Sequence, residues 1–259
     1  MSDQEEVWVA EGSQAQVAPR AAAVWMVLRT EVERRAVAGE TGRMDVLDLG
    51  GGSGVFAVPL AELGHAVTVV DISPDALAAL HRRAGEAGVA DRVRAVPGDV
   101  ERMPEEVPAA AYDLVLCHGL LEVVDDPQET LATVAERVRP GGCASVLVTG
   151  RAATVVARAL GGHPAAALRA LTAPDGRWGD GDVLRRRFDS DQLRALVAGA
   201  GLVVESVHGA RIFAELVPRA LLDGVPGAAE ALRELEIAAS ALPPYRDIAT
   251  QLHVLARRT

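Results

Sequence analysis

The stretch "DVLDLGGGSGVFAVPL", Asp45 to Leu60, sets an acid, Asp48, and four glycines, Gly50, Gly51, Gly52 and Gly54, at the end of a short apolar run. Glycine weakens ordinary secondary structure, so this density needs a cause, and one cause at a strand end is a ligand that comes very close to the backbone. A strand, a glycine turn and a helix N-terminus form the nucleotide site of doubly wound folds, with the ligand beyond the carboxyl ends of the strands. "GSGVFA", Gly52 to Ala57, satisfies the dinucleotide pattern G-x-G-x-x-G/A, with Asp71 as a ribose acceptor further on. Read that way, the chain is an NAD-dependent oxidoreductase. Asp48 has a structural role open to it as well, as acceptor for N–H groups of the turn. His118 ends a later apolar run, "YDLVLCHG", at the same edge. Its ordinary pKa lies near neutrality, which suits general-base work on a hydroxyl.

These residues need a frame, and the hydrophobic pattern supplies one. Strands are expected at 44–49, 65–71, near 92–99, at 112–119 and from Cys143 to Gly150. Amphipathic helices are expected between them: Val55 to Leu63, a helix capped by Ser73 with Pro74 at its first position, and one capped by Asp126 that stops at Pro140-Gly141-Gly142. Apolar strands alternating with such helices imply a parallel sheet covered on both faces. A helix over residues 14–38 precedes this core, with Trp25 at helical spacing from Val24, Leu28 and Val32.

The alternation breaks after Gly150. The expected division is an N-terminal helical segment 1–43, a cofactor-binding core 44–150, a cap insertion 151–187 and a C-terminal part of the sheet 188–259, all in one domain. The cap reads as a helix followed by a mobile loop, where a substrate lid could sit. Trp25 and Trp178 are the aromatic side chains that could line a pocket, Trp25 reading first as core. Glu122 reads as a helix-start acid, Arg185 to Arg187 as a solvated charge run, and His253 as a structural residue of the last strand.

Composition narrows the partner class. The 259 residues carry a formal net charge of -10, and all 26 basic residues are arginine. An acidic surface repels phosphate backbones, so nucleic-acid binding would need a local basic patch. Cys117 and Cys143 lie in apolar runs and read as small core residues, not as a disulfide or metal pair. No Cys/His cluster has metal-ligand spacing, so no metal is expected. There is no basic-then-apolar leader and no apolar run of about 18 residues, so a cytoplasmic protein is expected.

The motifs taken together resemble class I S-adenosylmethionine-dependent methyltransferases. The carriers are Asp48-Leu-Gly50-Gly-Gly52-Ser-Gly54, the acid Asp71 after "VTVV", "GDV" at Gly98 to Val100, "YDLVLCHGLLEVVDDP" with its following helix, and the paired strands "LVVESVHG" and "TQLHVLARR". The resemblance implies a Rossmann-like α/β fold: a seven-stranded, mostly parallel sheet with an antiparallel last strand and a small helical cap. It implies that S-adenosylmethionine is the cofactor and S-adenosylhomocysteine the product. Asp48, Gly50, Gly51 and Gly52 would lie along the amino-acid part of the cofactor. Asp71 would take the two ribose hydroxyls with its two acceptor oxygens, and Ile72, Asp99 and Val100 would surround the adenine.

Within that family the chain is similar to the bacterial tRNA 5-carboxymethoxyuridine methyltransferases through "GGGSG", "LGHAVTVVDIS", "CHGLLEVVDDP", "GARIFAEL", a Pro-Pro-Tyr ending at Tyr245 and "HVLARR". This similarity implies Arg20 on the cofactor carboxylate and His118 near the methionine end or the acceptor. A carboxylate acceptor is already an anion and needs only approach and in-line orientation. Arginine can clamp it bidentately, and Arg151, Arg185 to Arg187 and Arg211, with Tyr245, are the residues that could. The segment after the fifth strand, "LRALTAPDGRWGDGDVLRRRF", mixes three acids with its arginines. With the net charge of -10 this favours a small metabolite carrying a carboxylate or hydroxyl over tRNA as the acceptor.

Overall fold

The computed structural model describes residues 21–37, 42–218, 222 and 225–259. Its strands are β1 (Asp45–Leu49), β2 (Ala66–Asp71), β3 (Val93–Pro97), β4 (Tyr112–His118), β5 (Val138–Thr149), β6 (Val203–Ala210) and β7 (Gln251–Arg257). They form a seven-stranded sheet in the order β3-β2-β1-β4-β5-β7-β6. β1 to β5 pair in parallel, and β7 runs antiparallel to both of its neighbours, β5 and β6. β6 therefore keeps the common direction and β7 alone is reversed. The chain crosses over between β1 and β4, where the strand order reverses, and that is where open sheets of this kind bind ligands.

The inner strands are buried on both faces, which is why they read as unbroken apolar runs. Val46, Val69, Leu114 and Leu116 pack under α1 (Ala22–Val37), α2 (Ala57–Glu62) and α3 (Pro74–Glu86). Leu47, Leu49, Val115 and Cys117 pack on the opposite side under α4 (Pro127–Arg137) and α7 (Ser190–Gly199). Trp25 belongs to the first layer, its indole stacked on Phe56 at 5.4 Å. The caps fall where the sequence puts them: Ser73 Oγ accepts from Ala76 N–H at 3.2 Å, and Asp126 accepts from Gln128 and Glu129 N–H, each with proline at the next position. Cys117 and Cys143 are buried free thiols. Among the described residues no helix is long and apolar enough to cross a membrane.

Two expectations need correction. The α4 helix ends at Arg137, and "VRPGG" opens β5 instead of stopping the helix. Val138 pairs with Tyr112 and Cys143 with Leu114, so Pro140 to Gly142 bulge out between them. The bulge is tied to the chain end, with Gly141 N–H donating to Arg258 O at 2.8 Å and Arg258 N–H to Gly142 O at 3.0 Å. These are pairings with residues over a hundred positions away, and local turn chemistry does not report them. Residues 151–187 hold two helices, α5 (Arg151–Leu160) and α6 (Pro164–Thr172), before a loop. That loop is fastened to its surroundings: Arg187 forms a two-pronged ion pair with buried Asp182 at 2.5 and 2.9 Å, and Arg158 lies 3.7 Å over the Trp178 ring. The last helix, α8 (Ala228–Ala239), leads to β7.

Candidate functional site

The carboxyl ends of β1 to β4 meet at one edge, and the glycine turn follows β1 there. Gly50 has φ +67° and Gly52 φ +55°, a region that side chains with a Cβ rarely adopt. At Gly51 the constraint is space: a Cβ would lie 2.5 Å from the Asp48 carboxyl carbon and 2.9 Å from Val69 Cγ1. The turn is braced from α3, where Arg83 donates to Ser53 O at 3.0 Å.

Asp71 is held in a defined orientation by the backbone. Its Oδ2 accepts from Gly52 N–H at 2.9 Å and its Oδ1 from Ser73 N–H at 2.8 Å. Each oxygen keeps a lone pair for a ligand donor. Gly50, Asp71, Ile72, Asp99, Val100 and Leu120 contribute to the wall of an open cavity of about 380 Å³. Ile72 is 74% exposed, an unusual state for a large apolar side chain that borders a cavity. Asp99 Oδ1 takes Glu101 N–H at 3.0 Å and leaves the second oxygen open.

Asp48 lies beneath the turn, 2% exposed. Burial, with the charge of Asp71 adding to it, pushes its carboxyl up to about 7. It takes no turn amide as a partner among the described residues, so of its two expected roles the structural one is not seen.

The wall opposite the glycines is the segment after β4, and the loop after α6 grips it. Arg186 donates to the carbonyls of Leu121 at 2.9 Å, Val124 at 2.6 Å and Asp125 at 3.0 Å, and Arg185 pairs with Asp125. Glu122 is 2% exposed, and its Oε1 accepts from Thr149 N–H at 2.6 Å and Thr149 Oγ at 2.8 Å. Burial raises its pKa, with the bonds to Thr149 opposing. Arg186 and Arg187 are thus not solvated charges, whereas Arg185 stands exposed as expected, and Glu122 does not start a helix. Arg186 ties the cap to the cavity wall, and Glu122 ties that wall to the end of β5. The sequence signal was present in "GLLEVVDDP", since a segment that follows a strand at the switch point must border the ligand.

His118 stands at the end of β4, half-buried, with its ring edge-on to Phe56 at 4.6 Å. Its Nε2 is 2.8 Å from Ser145 Oγ, and Ser145 Oγ is 2.7 Å from His253 Nε2. Burial draws the His118 pKa down to about 3, so the general base that a hydroxyl acceptor would need is not found in it. His253 is fully buried in β7, and it is joined to His118 through a serine that sequence reasoning passed over.

The remaining expected site residues divide. Arg20 lies outside the described residues. Arg151, Arg211 and Tyr245 all come to the same edge of the sheet, following β5 and β6 and preceding β7. None of the three borders the 380 Å³ cavity. Arg151 donates to Pro174 O at 2.6 Å, Arg211 pairs with Glu215, and the Tyr245 ring lies 6.0 Å from Phe213. Among the described residues no three side chains could hold a metal ion together.

Comparison with known proteins bears on what the cavity serves. Residues 46–142 match the family described as a methyltransferase domain. The chain is 27% identical over 216 residues to the tRNA 5-carboxymethoxyuridine methyltransferase of Escherichia coli K12, covering 83% of this chain and 80% of that one. It is 38% identical over 112 residues to the ubiquinone biosynthesis O-methyltransferase of Pseudomonas aeruginosa PAO1, covering 42% and 44%. An S-adenosylmethionine-dependent methyltransferase from Mesorhizobium loti shares the fold, with a TM-score of 0.58 at 20% identity over 93% of this chain and all of that one.

Proposed function

From the premise that this chain is an S-adenosylmethionine-dependent methyltransferase, we propose that it methylates an oxygen of a small metabolite, and that this oxygen arrives already anionic. Its own residues fit the cofactor: Gly50, at φ +67°, presents bare backbone to the cavity, and Asp71 is aimed by two amides with lone pairs to spare. When bound, S-adenosylmethionine supplies the methyl group on a cationic sulfur. Asp71 would hold the ribose hydroxyls, Ile72 and Val100 the faces of the adenine, and Asp99 its amine. Asp48, buried beneath Gly51, would lie under the amino-acid part of the cofactor.

The observation that carries the acceptor class is the state of His118. A histidine drawn down to about 3 is a weak proton acceptor at neutral pH. A carboxylate, or a hydroxyl acidic enough to ionise by itself, needs no base and gains its rate from approach and alignment. The size of the acceptor follows from charge. Every arginine of 151–187 already has a partner inside the chain, in Pro174, Trp178, Asp182, Asp125 or the carbonyls after β4. Only Arg185 and Arg187 are paired with carboxylates and the others keep their charge, so the support for a small acceptor is the chain's net charge of -10, which repels a phosphate backbone.

A second reading has its own support. The tRNA 5-carboxymethoxyuridine methyltransferase matches along most of both chains, and its acceptor would also be an oxygen anion. The two separate in one assay: labelled methyl transfer from S-adenosylmethionine to total tRNA and, in parallel, to a low-molecular-mass cell extract. Label in the extract with none in tRNA supports the small acceptor. Label in tRNA that falls with added salt overturns it in favour of a tRNA uridine.

A further inference from the structure

One helix of the cap is turned inside out. α5 (Arg151–Leu160) has no buried residue. Arg151 and Arg158 stand two turns apart and share one side of it. That side meets the rest of the protein: Arg151 donates to Pro174 O at 2.6 Å, and Arg158 lies 3.7 Å over the Trp178 ring. The opposite side carries Ala153, Val156, Ala157 and Leu160, the i, i+3, i+4, i+7 stripe that a helix ordinarily turns to the core. Here the stripe meets solvent, with Val156 40% and Leu160 76% exposed.

The next helix repeats the arrangement. α6 (Pro164–Thr172) packs against α5 as a hairpin, and it leaves Leu168 59% and Leu171 57% exposed. Its one arginine, Arg169, donates to Trp178 O at 2.9 Å. Leu160 lies two residues from Arg158, and Leu171 two from Arg169. Each step of two is about 200° round a helix, so both leucines turn away from Trp178. A cluster of large apolar side chains in solvent marks an association surface.

Charge selects what covers it. A chain of net charge -10 repels its own copies over most of its surface. From Arg137 to Pro174 the sequence has no acid, and the hairpin lies within that stretch. With the arginines on the other side, the stripe carries no charge of either sign. It has nothing to draw an anionic lipid or a nucleic acid, and no charge to strip of water on contact. Depletion of charge is the mark of the centre of a protein interface. A neutral face of this kind is complementary to itself, and two copies related by a two-fold axis meet through one and the same patch.

We infer that the exposed face of α5 and α6 is a dimer interface, on which the hairpin of a second copy of this chain packs. The leucines of each hairpin would fill the spaces over the alanines of the other, as ridges fill grooves between packed helices. The inference does not depend on which acceptor the enzyme methylates.

Sedimentation equilibrium of the full chain over a wide range of concentration reads the assembly state, and a reversible dimer is expected. Leu160→Glu combined with Leu168→Glu puts a carboxylate on each helix and should weaken association at least about a hundredfold. Leu235→Glu, at a 47% exposed leucine of α8, should leave it unchanged. If the double variant does not fold, Leu160→Gln takes its place, with a weakening of about tenfold expected. A wild-type chain that stays monomeric overturns the inference, and so does a dimer that the hairpin variants leave intact. A monomer that floats with phosphatidylglycerol vesicles, and no longer does so once the hairpin leucines are replaced, would overturn it in favour of a lipid surface. Absence of S-adenosylhomocysteine binding would sink the methyltransferase site and leave the assembly result standing.

Discussion

Replacing Asp71 by alanine probes the cofactor assignment at its most oriented group. The carboxylate is fixed by Gly52 N–H at 2.9 Å and Ser73 N–H at 2.8 Å, and its two free lone pairs are placed for neighbouring hydroxyls. A hydrogen bond to a charged acceptor contributes about 1.5–3 kcal/mol, and the open cavity lets water compensate part of two such bonds. The expected net loss is about 2–3 kcal/mol, or roughly 30- to 150-fold in the dissociation constant of S-adenosylhomocysteine by calorimetry. Asp71→Asn keeps one carbonyl oxygen but sets an NH₂ against one of the backbone donors, so it should fall between wild type and alanine. Thermal unfolding of each variant checks that the turn has survived the loss of its two acceptors. A folded Asp71→Ala protein that binds within twofold of wild type would show that the carboxylate serves only the turn.

Three other perturbations follow from the same geometry. Gly50→Val puts a β-branched side chain at φ +67° and a Cβ 3.3 Å from Leu120, and should abolish S-adenosylhomocysteine binding; wild-type affinity in a folded variant would mean that the turn is not the site. Asp48, raised to about 7 by burial and by Asp71, stays protonated when folded at pH values where the unfolded chain has released its proton, so its contribution to stability falls as pH rises from about 4 to 7. Asp48→Asn should accordingly gain melting temperature relative to wild type across that interval, and a difference that stays constant from pH 5 to 8 contradicts the shift. Arg186→Ala removes the donor to three carbonyls of the cavity wall and should weaken S-adenosylhomocysteine binding about tenfold, whereas Arg185→Ala, on an exposed pair, should change it little; equal effects would refute the distinction.

The frame was legible because its signals are local. Buried parallel strands such as "DVLDL" and "YDLVLC" announce themselves by composition, and Ser73 and Asp126 announce helix starts through the amides they cap. Asp71 and Asp99 were legible because an acid at a parallel strand's end has one edge to face. What stayed hidden depends on partners far along the chain. Pro140 to Gly142 read as a helix stop until their pairing with Arg258 is known. Arg186 and Arg187 read as surface charge until the carbonyls after β4 receive the one and Asp182 the other. Ser145 carries no signal in "CASVLVTG", since its role exists only where β4 and β7 bring His118 and His253 to either side of it. The chemistry of His118 was misjudged for the same reason: its ordinary pKa is a property of the residue, and its lowered one is a property of the place.

The most direct test of the central claim is calorimetric titration of the wild-type chain with S-adenosylhomocysteine and, separately, with NAD. One S-adenosylhomocysteine bound per chain, with no heat from NAD, is the expected result. NAD binding without S-adenosylhomocysteine binding would contradict it and return "GSGVFA" to the dinucleotide reading.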